Sequence, residues 1–349
     1  MPPLTKMRTS VLIPSYGRPL SLRQCLEKLH QQRIPPDEVI VAWQLDDTST
    51  RDAAQSKAGD VQYSLRIVHS TAQGIVPAES AALRYASGEI LIFVDDDALP
   101  HPEWVARHLA HFADPEVGAV GAPVRNYRSD GSPFAVRRPA HIGQLTSYGR
   151  TVGNLFDHPP EWQARPPIDV AHLAAGNMSV RRVAFGDFEA SLRPYWQSFE
   201  LDVCLQVKAH GFRVLFDFAN VIEHYPTNSI FTQDRSGDLR VKVFHPAYNH
   251  AFILAKHSGW HFRALRLLYL LLVGSSTSPG LAGFCVAVWR YGNIARETSL
   301  LCQTLNWHLA GWVAGSKRRR TGRNSFRNSA AKTLAYVDDQ SHARHSPVC

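Results

Sequence analysis

Three carboxylates in succession, Asp95-Asp96-Asp97, close the apolar run Glu89-Ile90-Leu91-Ile92-Phe93-Val94. Such a run reads as a buried strand. Carboxylates crowded at the carboxyl end of a strand repel one another unless a cation or a basic partner neutralises them. Oxygen-rich clusters of this kind suit a hard divalent metal that also holds phosphates, which predicts a site handling a nucleotide diphosphate. The competing reading is that the acids are turn formers or helix caps.

The surrounding pattern predicts the elements that position these acids. Thr9 to Pro14 reads as a short buried strand, followed by the loop Ser15-Tyr16-Gly17-Arg18-Pro19. Leu22, Leu26 and Leu29 give helical spacing within 20–32, and Pro35-Pro36 stops that helix. Strands are expected at Glu38–Trp43, Ser64–His69 and Val117–Val124, with helices at Ile75–Ala86 and Pro102–Phe112. Alternation of this kind implies βαβ units and a mostly parallel sheet flanked by helices. Ligands bind beyond the carboxyl ends of such strands. Ser15–Arg18, Asp46–Asp47 and Asp95–Asp97 all fall at those ends. Residues 126–167, rich in Pro, Gly, Arg and Ser, read as long loops shaping an acceptor cleft. Order returns at Asp169–Val180, then a helix over Glu200–His210 and strands at Phe212–Phe218 and Asn220–Tyr225.

Four segments carry a resemblance. Ser10-Val11-Leu12-Ile13-Pro14-Ser15-Tyr16-Gly17-Arg18-Pro19 resembles the opening strand and loop of family 2 glycosyltransferases. Gly88 to Pro100 resembles their metal-binding DxD segment. Ala175-Gly176-Asn177-Met178-Ser179-Val180-Arg181-Arg182 and Phe199-Glu200-Leu201-Asp202-Val203-Cys204-Leu205 supply the third and fourth matches. The ordered set covers about residues 8–225 and implies an α/β fold of GT-A type with a C-terminal helical extension. It also implies inverting transfer from a nucleotide diphosphate sugar, a uridine diphosphate sugar being favoured, to a saccharide or lipid-linked acceptor in cell-surface polysaccharide or glycolipid synthesis. The implied cofactor is a divalent metal, Mn2+ or Mg2+.

Residue roles follow from the same resemblance. Asp97 is expected to touch the metal, Asp95 the ribose or the metal's water shell, and Asp96 the sugar hydroxyls. His224 matches a position where some relatives supply a further ligand, a structural histidine being the alternative. Pro14, Tyr16 and Arg18 are expected to grip the nucleotide. Asp46 or Asp47, with Asp47 favoured, would read the base edge. Gly176 and Asn177 resemble a platform beneath the donor sugar. Inversion needs a base opposite the leaving group. The family's Glu-Asp pair is missing here; alignment places Glu200 at the base position, with Asp202 its rival and a helix cap the alternative for either. Glu79-Ser80 stands where relatives often have Arg-Asn, a lost cation that bears on donor identity.

The composition bounds the rest. At 349 residues, 44% hydrophobic and 19% charged, the chain has material for a sizeable core. The expected organisation is a catalytic domain over 1–225, with a nucleotide-binding half (1–125) and an acceptor half (126–225). An apolar helical extension (226–315) and a basic, unstructured tail (316–349) follow. The net charge of +8 owes much to seven cations without an acid between Ser316 and Tyr336. The folded body is therefore nearly neutral, which argues against nucleic acid as a partner. Five scattered cysteines without a CxxC pair fit a reducing cytoplasm. The N-terminal apolar run, ending at Pro14, is too short for a secretory signal.

The apolar runs Leu267–Val273 and Leu281–Trp289 fall short of the ~18–20 residues that span a bilayer. Their aromatic and basic flanks, Trp260, Phe262, Arg263, Arg266 and Tyr269, leave two roles open: contact with the inner face of a membrane, or packing against protein. Nucleotidyl transfer and dinucleotide chemistry lack their glycine-rich loops here. A catalytically degenerate nucleotide-sugar binder in an assembly complex is the non-enzymatic alternative.

Overall fold

The structure is a computed structural model that describes residues 7–193, 199–226, 243–274 and 280–342. Parts of the expected segments, at 1–6, 194–198, 227–242, 275–279 and 343–349, lie outside the described residues. The N-terminal half alternates β1 (Thr9–Ser15), α1 (Pro19–His30), β2 (Glu38–Gln44), α2 (Thr48–Gln55), β3 (Ser64–Ser70), α3 (Ile75–Leu83) and β4 (Ile90–Val94). Every residue of β1 and β4 is buried, as strands covered on both faces must be. Pro19 opens α1 with its ring-fixed φ, and Leu22, Cys25, Leu26 and Leu29 form its buried face. Each of those leucines stabilises the fold by roughly 1.5–3 kcal/mol.

The chain continues through β5 (Ala98–Leu99), α4 (Trp104–His111), β6 (Val117–Gly121), β7 (Val124–Asn126), β8 (Gln144–Leu145), β9 (Thr151–Val152), β10 (Ile168–Asp169), β11 (Asn177–Arg181), α5 (Phe199–Ala209), β12 (Arg213–Phe216) and β13 (Ile222–His224). Eight strands form one sheet in the order β10-β12-β6-β11-β4-β1-β2-β3. Only β10 and β11 run against the rest, so the expected mostly parallel sheet is present. The insertion of β11 between β4 and β6 is a long-range pairing that local periodicity does not encode.

One expected strand divides. Val117–Val124 breaks after Gly121, whose bare α-carbon admits the Leu173 side chain; a Cβ there would lie 2.5 Å from Leu173 Cδ2. Pro123 cannot donate a ladder hydrogen bond. The chain therefore leaves the main sheet, and β7 joins a small sheet in the order β5-β13-β7.

A second compact unit begins at Ala247. Its helices are α6 (His245–His257), α7 (Trp260–Leu272), α8 (Leu281–Tyr291) and α9 (Ile294–His342). The helix α9 runs through the basic segment from Ser316, where the sequence reading expects no structure. Lys, Arg and Ala are strong helix formers, and no proline interrupts them before His342. Among the described residues, no helix is long and apolar enough to cross a membrane.

Candidate active site

The carboxyl ends of β1, β2 and β4 share one rim, and β4 delivers the three aspartates to it. The small sheet brings the remaining metal-binding candidate. Residues in β13 pair with β5 so that His224 lies opposite Ala98, and with β7 so that it lies beside Asn126. His224 Nε2 thereby sits 3.0 Å from Asp97 Oδ1 and 3.9 Å from Asp95 Oδ2. Its Nδ1 lies 2.8 Å from Asn126 Oδ1. An amide oxygen can only accept, so Nδ1 carries a proton and Nε2 is the atom that faces the carboxylates. Burial works against a charged ring here, but the bond to Asp97 and the charges of Asp97 and Asp95 outweigh it and raise its pKa. One donor atom from each of Asp95, Asp97 and His224 falls within 4.8 Å of the others. Two carboxylates and an oriented imidazole at that separation fit a divalent ion.

Arg18 lies on the other side of Asp97. Its Nη1 bonds Asp97 Oδ2, and its Nη2 is 3.1 Å from Asp96 Oδ1. Burial opposes its charge, yet Asp96, Asp97 and Asp95 together raise its pKa. The guanidinium is thus a resident counter-charge for the cluster.

Several expected contacts are redirected by the fold. Asp96, assigned to sugar hydroxyls, is 0% exposed and accepts from Ser15 Oγ at 2.5 Å. Its turn points it back into the sheet, where it pins the β1 loop and Arg18; burial, the largest influence, pushes its pKa up to about 7 against the pull of Arg18. Asn177, assigned to the sugar platform, is also fully buried. Its Oδ1 accepts from Trp104 Nε1 at 2.8 Å, and its Nδ2 donates to the carbonyls of Pro123 and Asn220. Strand alternation in β11 turns this amide into the floor rather than toward a ligand.

Gly176 leaves room for a neighbouring acid: a Cβ on it would lie 2.6 Å from Asp95 Oδ2. Its bareness reserves the space that the Asp95 carboxylate fills. Asp47 caps α2, accepting from Thr50 N, Ser49 Oγ and the Gly17 amide. Burial opposes its charge, but these bonds outweigh it and lower its pKa. A carboxylate so committed leaves Asp46 as the exposed member of the pair. Pro14 is buried within β1, whereas Tyr16 and Arg18 keep partial exposure at the loop.

The base candidates open α5. Asp202 is 1% exposed and accepts from Gln206 Nε2 at 2.8 Å. Glu200 is only partly buried. Glu79, on α3, is 1% exposed. Burial pushes its pKa well above the carboxylate range, and the charges of Asp95 and Glu200 add to that.

Sequence reasoning does not single out Asn126, the partner that orients His224. Its only signal is a polar residue ending the apolar run before the 126–167 loops. Ser15, which anchors Asp96, lies within the recognised loop segment but carries no signal of its own. A cleft of about 460 Å³ lined by residues including His101, Arg107, Arg125 and Glu223 lies apart from this site. Arg125 and Glu223 alternate along their strands with Asn126 and His224, so they face the opposite side of the small sheet.

Comparison with known proteins identifies the family and the fold. Residues 10–186 match the family model described as glycosyl transferase family 2. The chain is 27% identical over 130 residues to the glycosyltransferase AglE of Haloferax volcanii, covering 37% of this chain and 43% of that protein. It is 26% identical over 152 residues to the amylovoran biosynthesis glycosyltransferase AmsE of Erwinia amylovora, covering 43% and 57%. The chain thus spans about half the length of these relatives. Among solved structures, it resembles the mannosyltransferase PcManGT from Pyrobaculum calidifontis, solved with GDP-Man and Mn2+. That match has a TM-score of 0.53 at 19% identity and covers 90% of this chain and 87% of the other. It also resembles S. aureus TarS solved with UDP-GlcNAc, with a TM-score of 0.58 at 12% identity, covering 93% and 92%. These likenesses establish the GT-A fold.

Proposed function

The chain belongs to glycosyl transferase family 2, and we propose that it moves a sugar from a nucleotide diphosphate sugar to a hydroxyl acceptor with inversion at the anomeric carbon. The observation that carries this reading is the Asp95–Asp97–His224 constellation on the rim of the sheet. A divalent cation held there would neutralise the charge that develops on the departing diphosphate. The imidazole among the donors favours Mn2+ over Mg2+, which takes oxygen ligands.

The chain's own residues divide the remaining work. Arg18 has the planar fork that suits a phosphate, and release from Asp97 would free it to take one. Tyr16 packs on the base, and Asp46 reads its edge. Glu200 accepts the proton of the acceptor hydroxyl. Its partial exposure supports this role over Asp202, whose carboxylate is buried beneath the first turn of α5. The two solved neighbours were determined with GDP-Man and UDP-GlcNAc, so both bases are candidates. AmsE acts in amylovoran biosynthesis, which supports a saccharide or lipid-linked acceptor. Exposed apolar side chains on α7 and α8, including Leu268, Val286 and an 87% exposed Trp289, support contact of the second unit with an anionic lipid surface.

The test is nucleoside diphosphate release from a panel of UDP- and GDP-linked hexoses with Mn2+ and with Mg2+. Mn2+-dependent release that chelation removes is the expected result. No release from any donor, or release indifferent to metal, would overturn the reading.

A further inference from the structure

Glu79 is a costly residue without a structural return. The residue is 1% exposed, and its buried Oε2 has no hydrogen-bond partner. An unsatisfied buried polar atom destabilises a fold. An apolar residue at this position of α3 would pack beside Ala78, Ala82 and Leu83, which are also buried. A buried carboxyl oxygen of this kind calls for an explanation, and a partner that arrives from outside supplies one.

The packing points to that partner. Ala78 and Ala82, on α3 with Glu79, share one core cluster with Phe93, two residues before Asp95 at the metal end, and with Phe199, next to Glu200 at the base end; the charges of Asp95 and Glu200 both act on Glu79. In-line displacement puts the leaving diphosphate at the first and the attacking hydroxyl at the second. What lies between them is the ring of the transferred sugar. The chemistry agrees: a phosphate oxygen only accepts, so it repels an ionised carboxylate, whereas a sugar hydroxyl both donates and accepts. A hydroxyl therefore satisfies Oε2 whichever protonation state the carboxyl holds. We propose that Glu79 is a specificity residue that hydrogen-bonds one ring hydroxyl of the donor sugar. This rests on the glycosyltransferase reading above and adds to it a residue that selects among sugars.

The experiment crosses ligand and protein changes. The best donor from the UDP- and GDP-hexose panel is compared with its singly deoxygenated analogues on wild type, Glu79→Gln and Glu79→Met. In wild type, removal of one particular hydroxyl should lower kcat/KM by roughly 100-fold or more, as expected where a site is built to bond that group. In Glu79→Met the same removal should cost less than about 5-fold, with Glu79→Gln intermediate because its amide still bonds a hydroxyl. Thermal melts should show Glu79→Met at least as stable as wild type. Equal deoxygenation penalties in all three proteins, or a Glu79→Met protein that melts lower or does not fold, would overturn the proposal while leaving sugar transfer intact. Absence of binding and turnover with every donor would instead sink the glycosyltransferase reading, and this proposal with it.

Discussion

Two parts of the site are built on opposite terms. At the metal end, Asp97 is shared between Arg18 and His224, Asp96 accepts from Ser15 and pairs by charge with Arg18 although its Oδ1 accepts no hydrogen bond, and His224 is oriented by Asn126. Between that end and the base candidates, a buried carboxyl oxygen on Glu79 has no hydrogen-bond partner. The first arrangement holds its geometry before any ligand arrives, with a guanidinium supplying positive charge. The second carries an energetic cost that substrate must relieve. On the proposed reading, pre-organisation falls where charge develops, and an unmet carboxyl where a substrate is chosen.

The largest effects should come from cutting the partnered end. Asp97→Ala removes the acid that both His224 and Arg18 grip. Transfer should fall by roughly 10³-fold or more, and chelation of the wild type should reproduce that loss without adding to it in the variant. Glu200→Gln tests the other end: turnover should drop by roughly 10²–10⁴-fold with nucleotide-sugar binding retained in calorimetry. If Asp202→Asn does this instead, the base lies two residues further along α5 and the contrast between the exposed and the buried acid has been misread.

Arg18→Gln separates charge balance from chemistry. Without its guanidinium, Asp96 and Asp97 lose the cation they share, with His224 left to offset Asp97, which should lower stability by about 3–5 kcal/mol in urea unfolding. Mn2+ should then restore more stability to the variant than it adds to wild type, since the ion takes over the missing charge. Equal Mn2+ stabilisation of both proteins would show that Arg18 and the metal do not share that role.

How much of this is legible from residues alone depends on the range of the interactions. The strand before Asp95 announces itself because six consecutive residues, Glu89–Val94, are mostly apolar, and the rim follows from βαβ order. His224 is visible as a histidine at a strand end. Its meeting with Asp97 requires two short strands, β5 and β13, separated by more than a hundred residues, and no local pattern encodes that pairing. Asp96 and Asn177 differ from their sequence expectation for one reason: a polar residue beside a motif looks available, and only the fold shows its side chain turned inward. Asp47 follows the same rule, since an Asx cap and a ligand contact look identical in sequence. Glu79 is conspicuous in sequence as a departure from the family pattern, but its isolation appears only when α3 is packed.

The smallest expected effect probes how far the partnered end extends below the rim. His108 is fully buried under Asn177, with Nε2 3.1 Å from Asn177 Oδ1 and Nδ1 2.9 Å from Ser179 Oγ. Asn177 Oδ1 accepts, so Nε2 bears the proton and Nδ1 accepts from the serine; the neutral ring is fully satisfied. Burial, the largest influence, lowers its pKa from 6.5 to about 4, outweighing the bond to Asn177 and the charge of Asp217. The folded pKa lies below the unfolded one, so this contribution to stability is complete above about pH 6.5 and is lost as pH falls toward 4. Over the first ~1.5 pH units of that window the loss is about 2 kcal/mol. Urea unfolding of wild type and His108→Gln near neutrality and near pH 5 should therefore show wild type losing about 2 kcal/mol more than the variant. Equal losses would mean that the ring takes up a proton without cost. The floor beneath the metal end would then be less tightly satisfied than its hydrogen bonds imply.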